Sequence, residues 1–302
     1  MRVMVTGGSG FIGRALVEQL CAGGHSVVVL SRDAGKTRAQ LPGVDDVYSW
    51  RDCAAPPPRQ ALLGCEGIVN LAGETVRGRW TSAKRRGIKE SRIVGTKSLV
   101  TAVAELPASE RPSVLVSGSA TGYYGSRGDE LLDETSPPDD SFLAEVCREW
   151  EAAATSMEAL GVRVTLLRTG IVLHPKGGAL AAMLPLFRYG LGGPLGGGRQ
   201  WWSWIHRDDV VGMIALALEA PELSGPMNVV APNSVRQGEF ARRLGRALGR
   251  PSVLPTPAPA LRLALGGFAG ELLASRRVVP QRATDFGYSF RHPTLDSVPL
   301  TP

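Results

Sequence analysis

The stretch Met1-Arg-Val-Met-Val-Thr-Gly-Gly-Ser-Gly-Phe-Ile-Gly13 decides the fold. Val3 to Val5 read as a buried β-strand, Thr6 to Gly10 as a tight glycine-rich turn, and the apolar-periodic residues after them as a helix. Gly7 accepts the positive φ that such a turn needs. Gly10 lets the backbone approach a pyrophosphate, and Gly13 lets helix and strand pack closely. The helix start, at Phe11 and Ile12, offers free N–H groups and the positive end of the helix dipole. Strand, turn and helix in this order separate a dinucleotide cradle from an ordinary glycine turn.

The same alternation continues outward. Ile12, Ala15, Leu16 and Leu20 share one helical face, and Gly23-Gly24 stops that helix. Strand-like runs recur at 2–5, 26–31, 47–50, 67–72, 114–119 and 162–168, with another near 227–231, and helical patterns lie between them. Repeated β-α-β order implies an α/β protein: a Rossmann-type, doubly wound parallel sheet with helices on both faces. Pro56-Pro-Pro58 and Pro137-Pro138 mark surface loops. From about 174 the pattern becomes loop-rich, and the tail from about 232 is helical and proline-punctuated. The expected division is residues 1–173 as the nucleotide-binding domain, with 205–231 returning to it. Segments 174–204 and 232–302 then form a smaller C-terminal lobe.

Composition narrows the function classes. With 43% hydrophobic and 21% charged residues the chain is ordinary for a globular protein. Its net charge of +6 favours small anionic molecules but is too diffuse to indicate nucleic acid. The densest basic run, Arg77 to Arg92, reads as a solvated helix face or as a rim that attracts phosphate. Four scattered cysteines with no Cys-x-x-Cys indicate neither a disulfide framework nor a zinc site. Four histidines with no pair at ligand spacing argue against a metal. No apolar run is long enough to span a bilayer, so no membrane partner is expected. A strand at the first residues leaves no room for a signal peptide, and a cytoplasmic setting is the expectation.

The end of the second strand selects the dinucleotide. Ser26-Val-Val-Val-Leu-Ser31 is followed by Arg32, where a carboxylate would hold the ribose hydroxyls of NAD. A guanidinium there binds a 2′-phosphate with charge-assisted bonds, so NADP is the expected cofactor. Ser31 adds a hydroxyl and Lys36 a second charge, while Asp33 points elsewhere. The fourth strand ends in Val69-Asn70-Leu71-Ala72-Gly73, and Leu71, Ala72 and Gly73 are small enough to line the adenosine side.

Several of these segments resemble the extended short-chain dehydrogenase/reductases, the sugar-nucleotide epimerase-like proteins. They are the opening turn, Asn70-Leu-Ala-Gly73, Gly95-Thr96, Ser117-Gly-Ser-Ala-Thr-Gly-Tyr-Tyr-Gly125 and Trp204-Ile-His-Arg-Asp-Asp-Val210. Leu191-Gly-Gly-Pro-Leu-Gly196, Asn228-Val-Val-Ala-Pro-Asn233, Arg277-Val-Val-Pro-Gln-Arg282 and Gly287-Tyr-Ser-Phe290 are similar to one branch. It is the epimerase-family (SulA-related) proteins with a C-terminal domain of unknown function. The resemblance covers essentially the whole chain and implies NADP on a Rossmann-type domain, without a settled substrate. Many members of the group are dimers through helices beside the sheet, which makes a homodimer an expectation.

The resemblance also exposes a departure. Short-chain dehydrogenases use a Tyr and a Lys one helical turn apart for proton exchange. Anchored on Glu151, the matching helix places Leu143 at the Tyr position and Cys147 at the Lys position. Leucine transfers no proton, and a thiol is not a fixed cation. Three readings follow. Ser119, with Tyr123 or Tyr124, takes over substrate orientation and proton transfer; or Cys147 is a reactive thiol; or NADP is bound without turnover, in a sensing or scaffold role. Arg168 ends the sixth strand, where the nicotinamide end should lie, and is a candidate cofactor contact or part of a structural turn. Lys176 is a candidate replacement cation. Asp208 or Asp209 should cap the helix after His206. Trp201, Trp202 and Trp204 either wall a substrate pocket or fill the space between lobes. The expected protein is an NADP-dependent oxidoreductase or epimerase acting on a small polar or anionic carbonyl or hydroxyl compound.

Overall fold

Seven of the apolar runs become strands of one sheet: β1 (Arg2–Thr6), β2 (Ser26–Ser31), β3 (Asp46–Ser49), β4 (Gly67–Asn70), β5 (Val114–Ala120), β6 (Arg163–Thr169) and β7 (Gly225–Val229). They lie in the order β7-β6-β5-β4-β1-β2-β3, and every neighbouring pair is parallel. The computed structural model describes residues 1–301.

Side chains alternate across a strand, so each run feeds two cores. Val3, Val5, Val27 and Val29 face α1 (Phe11–Ala22). Met4, Val28, Leu30 and Leu115 belong to the opposite layer. After the short α2 (Ala34–Gln40), a basic helix α3 (Ser82–Lys89) runs through a π-turn at Glu90–Val94 into α4 (Gly95–Ala104). Leu99, Ala102 and Val103 of α4, and Ala154 of α5 (Phe142–Thr155), cover that opposite layer. The helix carrying Leu143, Cys147 and Glu151 runs on past Thr155, but its last turn tightens to 3₁₀ geometry at Ser156–Leu160 before Gly161.

The chain then leaves the sheet. Ile171–His174 pairs in parallel with Trp204–His206, and α6 (Gly178–Arg188) lies between them in sequence. The next helix, α7 (Arg207–Glu219), packs beside α1, and β7 closes the sheet edge against β6. A further helix, α8 (Gln237–Ala247), joins α6 in a separate apolar core of Leu180, Leu184, Phe187, Trp202, Trp204 and Phe240. Trp202 and Trp204 are therefore core residues, 4% and 1% exposed. Trp201 is half-buried instead, and the Arg236 guanidinium lies 4.1 Å from its ring centroid. A helical pair, α9 (Ala258–Leu265) and α10 (Phe268–Leu273), precedes the tail. Among the described residues four two-residue strands escaped the sequence reading because they are too short to show a period: Leu131–Leu132, Trp201–Trp202, Val235–Arg236 and Arg277–Val278. Among the described residues no helix is long and apolar enough to cross a membrane.

Candidate functional site

The strand order reverses between β1 and β4, which opens a crevice beyond their carboxyl ends. At its floor Gly7 has φ +70°, and a Cβ there would stand 2.9 Å from the Leu71 carbonyl carbon. A Cβ on Gly13 would run into the Gly7 carbonyl oxygen, so α1 can seat this close only with glycine. Gly10 precedes α1 in extended conformation and no side chain caps the helix. The N–H groups of Phe11 and Ile12 are thus left open toward the crevice, the arrangement that receives an anion.

The crevice wall is tied to that floor by buried polar groups. Thr6 Oγ1 donates to Asn70 Oδ1 at 2.7 Å and accepts from the Ala72 N–H at 3.1 Å. Asn70 Nδ2 donates to Thr96 Oγ1, which also accepts from the Trp150 indole at 3.0 Å. The bond to Thr6 explains why β4 stops at Asn70 rather than at 72: the backbone of Leu71, Ala72 and Gly73 swings over the glycine turn.

At the end of β2, Arg32 is exposed. Asp33 points away, accepting from the Lys36 N–H at 3.0 Å as the cap of α2. Ser31 is drawn inward, with its hydroxyl 2.7 Å from Thr37 Oγ1. Across the crevice, Lys84 bonds Glu74 at 2.6 Å and holds its carboxyl below the usual range, helped by the charges of Arg32 and Arg92.

Arg92 was hidden in the basic run. It lies one turn beyond fully buried Ile88, on the π-turn. One guanidinium nitrogen donates to the carbonyls of Glu74, at 2.9 Å, and Ile88, at 3.2 Å. The group sits 5.3 Å from the Trp150 ring centroid and directly under Gly73. Burial pushes its pKa down, and the Glu74 carboxylate opposes that. A cation therefore stands against Trp150, three residues along α5 from Cys147, the position where the dehydrogenase lysine is missing. The i, i+4 relation to Ile88 was the available sequence signal.

Three expectations need correction. Arg168 is 4% exposed and forms a bidentate pair with Glu151, both bonds 2.9 Å. It also donates to the Tyr124 hydroxyl at 3.1 Å and the Glu134 carbonyl at 3.2 Å. With four of its five N–H donors bonded inside the protein, Arg168 is built into a structural ion pair instead of being presented to a cofactor. Tyr124 is 0% exposed, donates to Asn228 Oδ1 at 2.7 Å, and burial pushes its phenol up to about 12. A phenol so enclosed has its hydroxyl taken up by Asn228 and Arg168. Ser119 donates its proton to Glu151 at 2.6 Å, so it orients that carboxylate.

Tyr123 is half-buried, with the Arg168 guanidinium 3.5 Å from its ring centroid. Leu143 and Cys147 are 8% and 3% exposed, and burial pushes the thiol up to about 11, so Cys147 is an inert neutral group. Lys176 is an exposed neighbour of His174, to which its N–H donates at 3.2 Å.

The start of α7 also departs from expectation. His206 is the cap residue, its Nδ1 accepting from the Asp208 N–H at 3.3 Å. Burial and nearby His292 push its pKa down to about 4. Asp209 is 0% exposed and binds the tail instead of the helix. The Phe11 ring packs on the Gly177 and Gly178 backbone, joining the nucleotide turn to the start of α6.

Comparison with known proteins gives a consistent picture. The family described as NAD dependent epimerase/dehydratase matches residues 3–230, and a domain of unknown function (DUF1731) matches 256–298. The chain is 44% identical over 299 residues to the Arabidopsis thaliana epimerase family protein SDR39U1 homolog, chloroplastic, covering 97% of this chain and 84% of that one. A crystal structure of human epimerase family protein SDR39U1 (isoform 2) with NADPH superposes with a TM-score of 0.87 at 36% identity, covering 99% and 97% of the two chains. Thermus thermophilus UDP-glucose 4-epimerase, in complex with NAD, shares the fold with a TM-score of 0.79 at 24% identity, covering 100% and 97%.

Proposed function

Since the chain belongs to the NAD dependent epimerase/dehydratase family, we propose that it binds NADP(H) and acts as an oxidoreductase or epimerase on a small, polar or anionic carbonyl or hydroxyl compound. One observation carries this reading: the uncapped start of α1, seated on Gly7 and Gly13 and walled by Leu71 to Gly73. It is supported by the likeness to the human structure with NADPH. The N–H groups of Phe11 and Ile12 take the pyrophosphate, and exposed Arg32 takes the 2′-phosphate. When bound, the nicotinamide supplies or accepts a hydride.

The chain's own residues must then manage charge and one proton. Arg92 holds negative charge developing on the substrate oxygen, the task of the absent lysine. It does so as a fixed guanidinium and transfers no proton. Tyr123 gives the proton in reduction and takes it back in oxidation; of the two tyrosines, only Tyr124 spends its hydroxyl on the protein. Ser119 and Glu151 keep Arg168 in place above Tyr123. A reducing compartment such as the cytoplasm suits the four free thiols, and a homodimer stays part of the reading.

A second reading is favoured by the buried Leu143 and neutral Cys147: an NADP(H)-sensing protein without turnover. To decide, the protein is incubated with metabolite extract and NADPH deuterated at either face of the nicotinamide C4. A deuterated product absent from a heat-killed control supports the enzyme. An epimerase returns its hydride, so bound NADP+ is also monitored for transient nicotinamide fluorescence on adding extract. Tight NADPH binding with neither signal overturns the enzyme reading. Arg92→Lys should keep part of any activity and Arg92→Leu none, with NADPH affinity unchanged in both.

A further inference from the structure

Three of the four histidines of this chain converge at the head of α7, although they stand far apart in sequence. The His206 and His292 ring centroids are 3.9 Å apart, and His174 lies 5.5 Å from His206. One ligand atom each from His206, Asp208 and His292 lie within 4.8 Å of one another. From this geometry we propose that His206, Asp208 and His292 form a binding site for a divalent transition metal of the zinc type, one that staples the C-terminal tail to α7.

Two further observations point to a ligand. His206 Nε2 is fully buried and has no hydrogen-bond partner among the described residues. With Nδ1 accepting from the Asp208 N–H, the metal-free ring carries its proton on Nε2; a metal taken at Nε2 moves that proton to Nδ1, beside the Asp208 carboxylate oxygen 3.8 Å away, and gives up the bond from the Asp208 N–H. His292, in turn, is held ready from both sides. The Asp209 carboxylate accepts from the His292 N–H at 2.9 Å, from the Arg291 N–H at 2.7 Å and from the Tyr288 hydroxyl at 3.1 Å. His292 Nδ1 lies 2.7 Å from the Ser297 carbonyl oxygen, which can only accept. Nδ1 therefore carries the proton, and Nε2 keeps its lone pair. A metal-ligating histidine is usually oriented in this way, through its other ring nitrogen.

Asp208 supplies the charge. Arg207 takes one of its carboxylate oxygens, at 3.1 and 3.2 Å, and the other oxygen lies 3.8 Å from His206 Nδ1. Two imidazoles and one carboxylate suit zinc, cobalt, nickel or copper rather than magnesium or calcium. Nitrogen ligands about 2.0–2.1 Å from zinc stand closer together than the present 4.8 Å limit. Binding therefore draws the tail segment around His292 inward. The reading does not depend on the nucleotide site.

The test uses full-length, tag-free protein stripped with chelator and titrated with Co2+, then Zn2+. The expected result is one cobalt per chain with visible ligand-field bands, no thiolate charge-transfer band, and displacement by zinc. Zinc should raise the melting temperature and slow amide exchange over residues 288–298. His292→Phe and Asp208→Asn should each weaken binding at least tenfold, while melting in the metal-free state stays close to the stripped wild type. Absence of bands in the wild type, wild-type affinity in either variant, or a thiolate band overturns the site.

Discussion

Replacing Glu151 by Ala should destabilise this protein more than a comparable change at its surface. The Arg168 and Glu151 side chains are only 5% and 9% exposed. Removing the carboxylate leaves the guanidinium buried with its charge uncompensated, and it also strips Ser119 of its acceptor. Breaking a buried pair in this way costs about 3–5 kcal/mol. At about 2–4 °C per kcal/mol for a chain of this order of size, the melting temperature should fall by about 6–20 °C. The double variant Glu151→Leu/Arg168→Met replaces both charges by apolar groups of similar volume and should recover most of the loss. Urea unfolding and thermal melting give the stabilities, and an NADPH titration runs alongside. A structural pair predicts lost stability with near-normal NADPH affinity in whatever fraction stays folded. If Arg168→Met alone melts within about 1 °C of wild type yet binds NADPH tenfold more weakly, Arg168 is a cofactor contact and the reasoning is refuted.

Other consequences are equally open to measurement. Arg32→Asp should cost NADPH binding about 1.5–3 kcal/mol while sparing NADH, read by fluorescence titration; an equal loss for both would remove the 2′-phosphate role. Gly13→Ala pushes a methyl into the Gly7 carbonyl. It should cost about 1–3 kcal/mol of stability and abolish nucleotide binding, and unaltered NADPH affinity would contradict the seating of α1. Burial holds the Glu134 carboxyl above its ordinary pKa, and one of its oxygens has no partner among the described residues. A raised folded pKa gives stability that is present below the unfolded value and is lost as pH rises through the folded one. Wild type should therefore gain on Glu134→Gln as pH falls from 7 toward 4, and parallel melting curves would exclude this.

The sheet was legible because parallel strands are apolar on both faces, so Val3–Val5 and Val27–Leu30 stand out without any partner being known. The glycine turn was legible because its constraint is local: Gly7 and Gly13 are close in sequence and in space. Arg168 was misread for the opposite reason. Its place at the end of β6 suggested a ligand, but its partner Glu151 comes from a helix whose packing no local pattern reveals. Tyr124 failed similarly, since Asn228 reaches it from β7. The histidine cluster was invisible to spacing rules, because His292 is brought to His206 by Asp209 gripping the tail. Arg92 could have been found: a charge on the same helical face as a buried Ile88 is not on a solvated face.

The edge strand β7 has a consequence for biosynthesis. A nascent chain emerges from the ribosome N-terminus first, so β6 is finished long before Gly225–Val229 arrives to pair with it. Even then Asn228 waits for its partner, the Val279 carbonyl, at 2.9 Å. Through that interval β6 presents a free row of amides and carbonyls, an invitation to pairing with other chains. Truncations that stop between the two strands should collect in inclusion bodies, and translation stalled there should recruit chaperones.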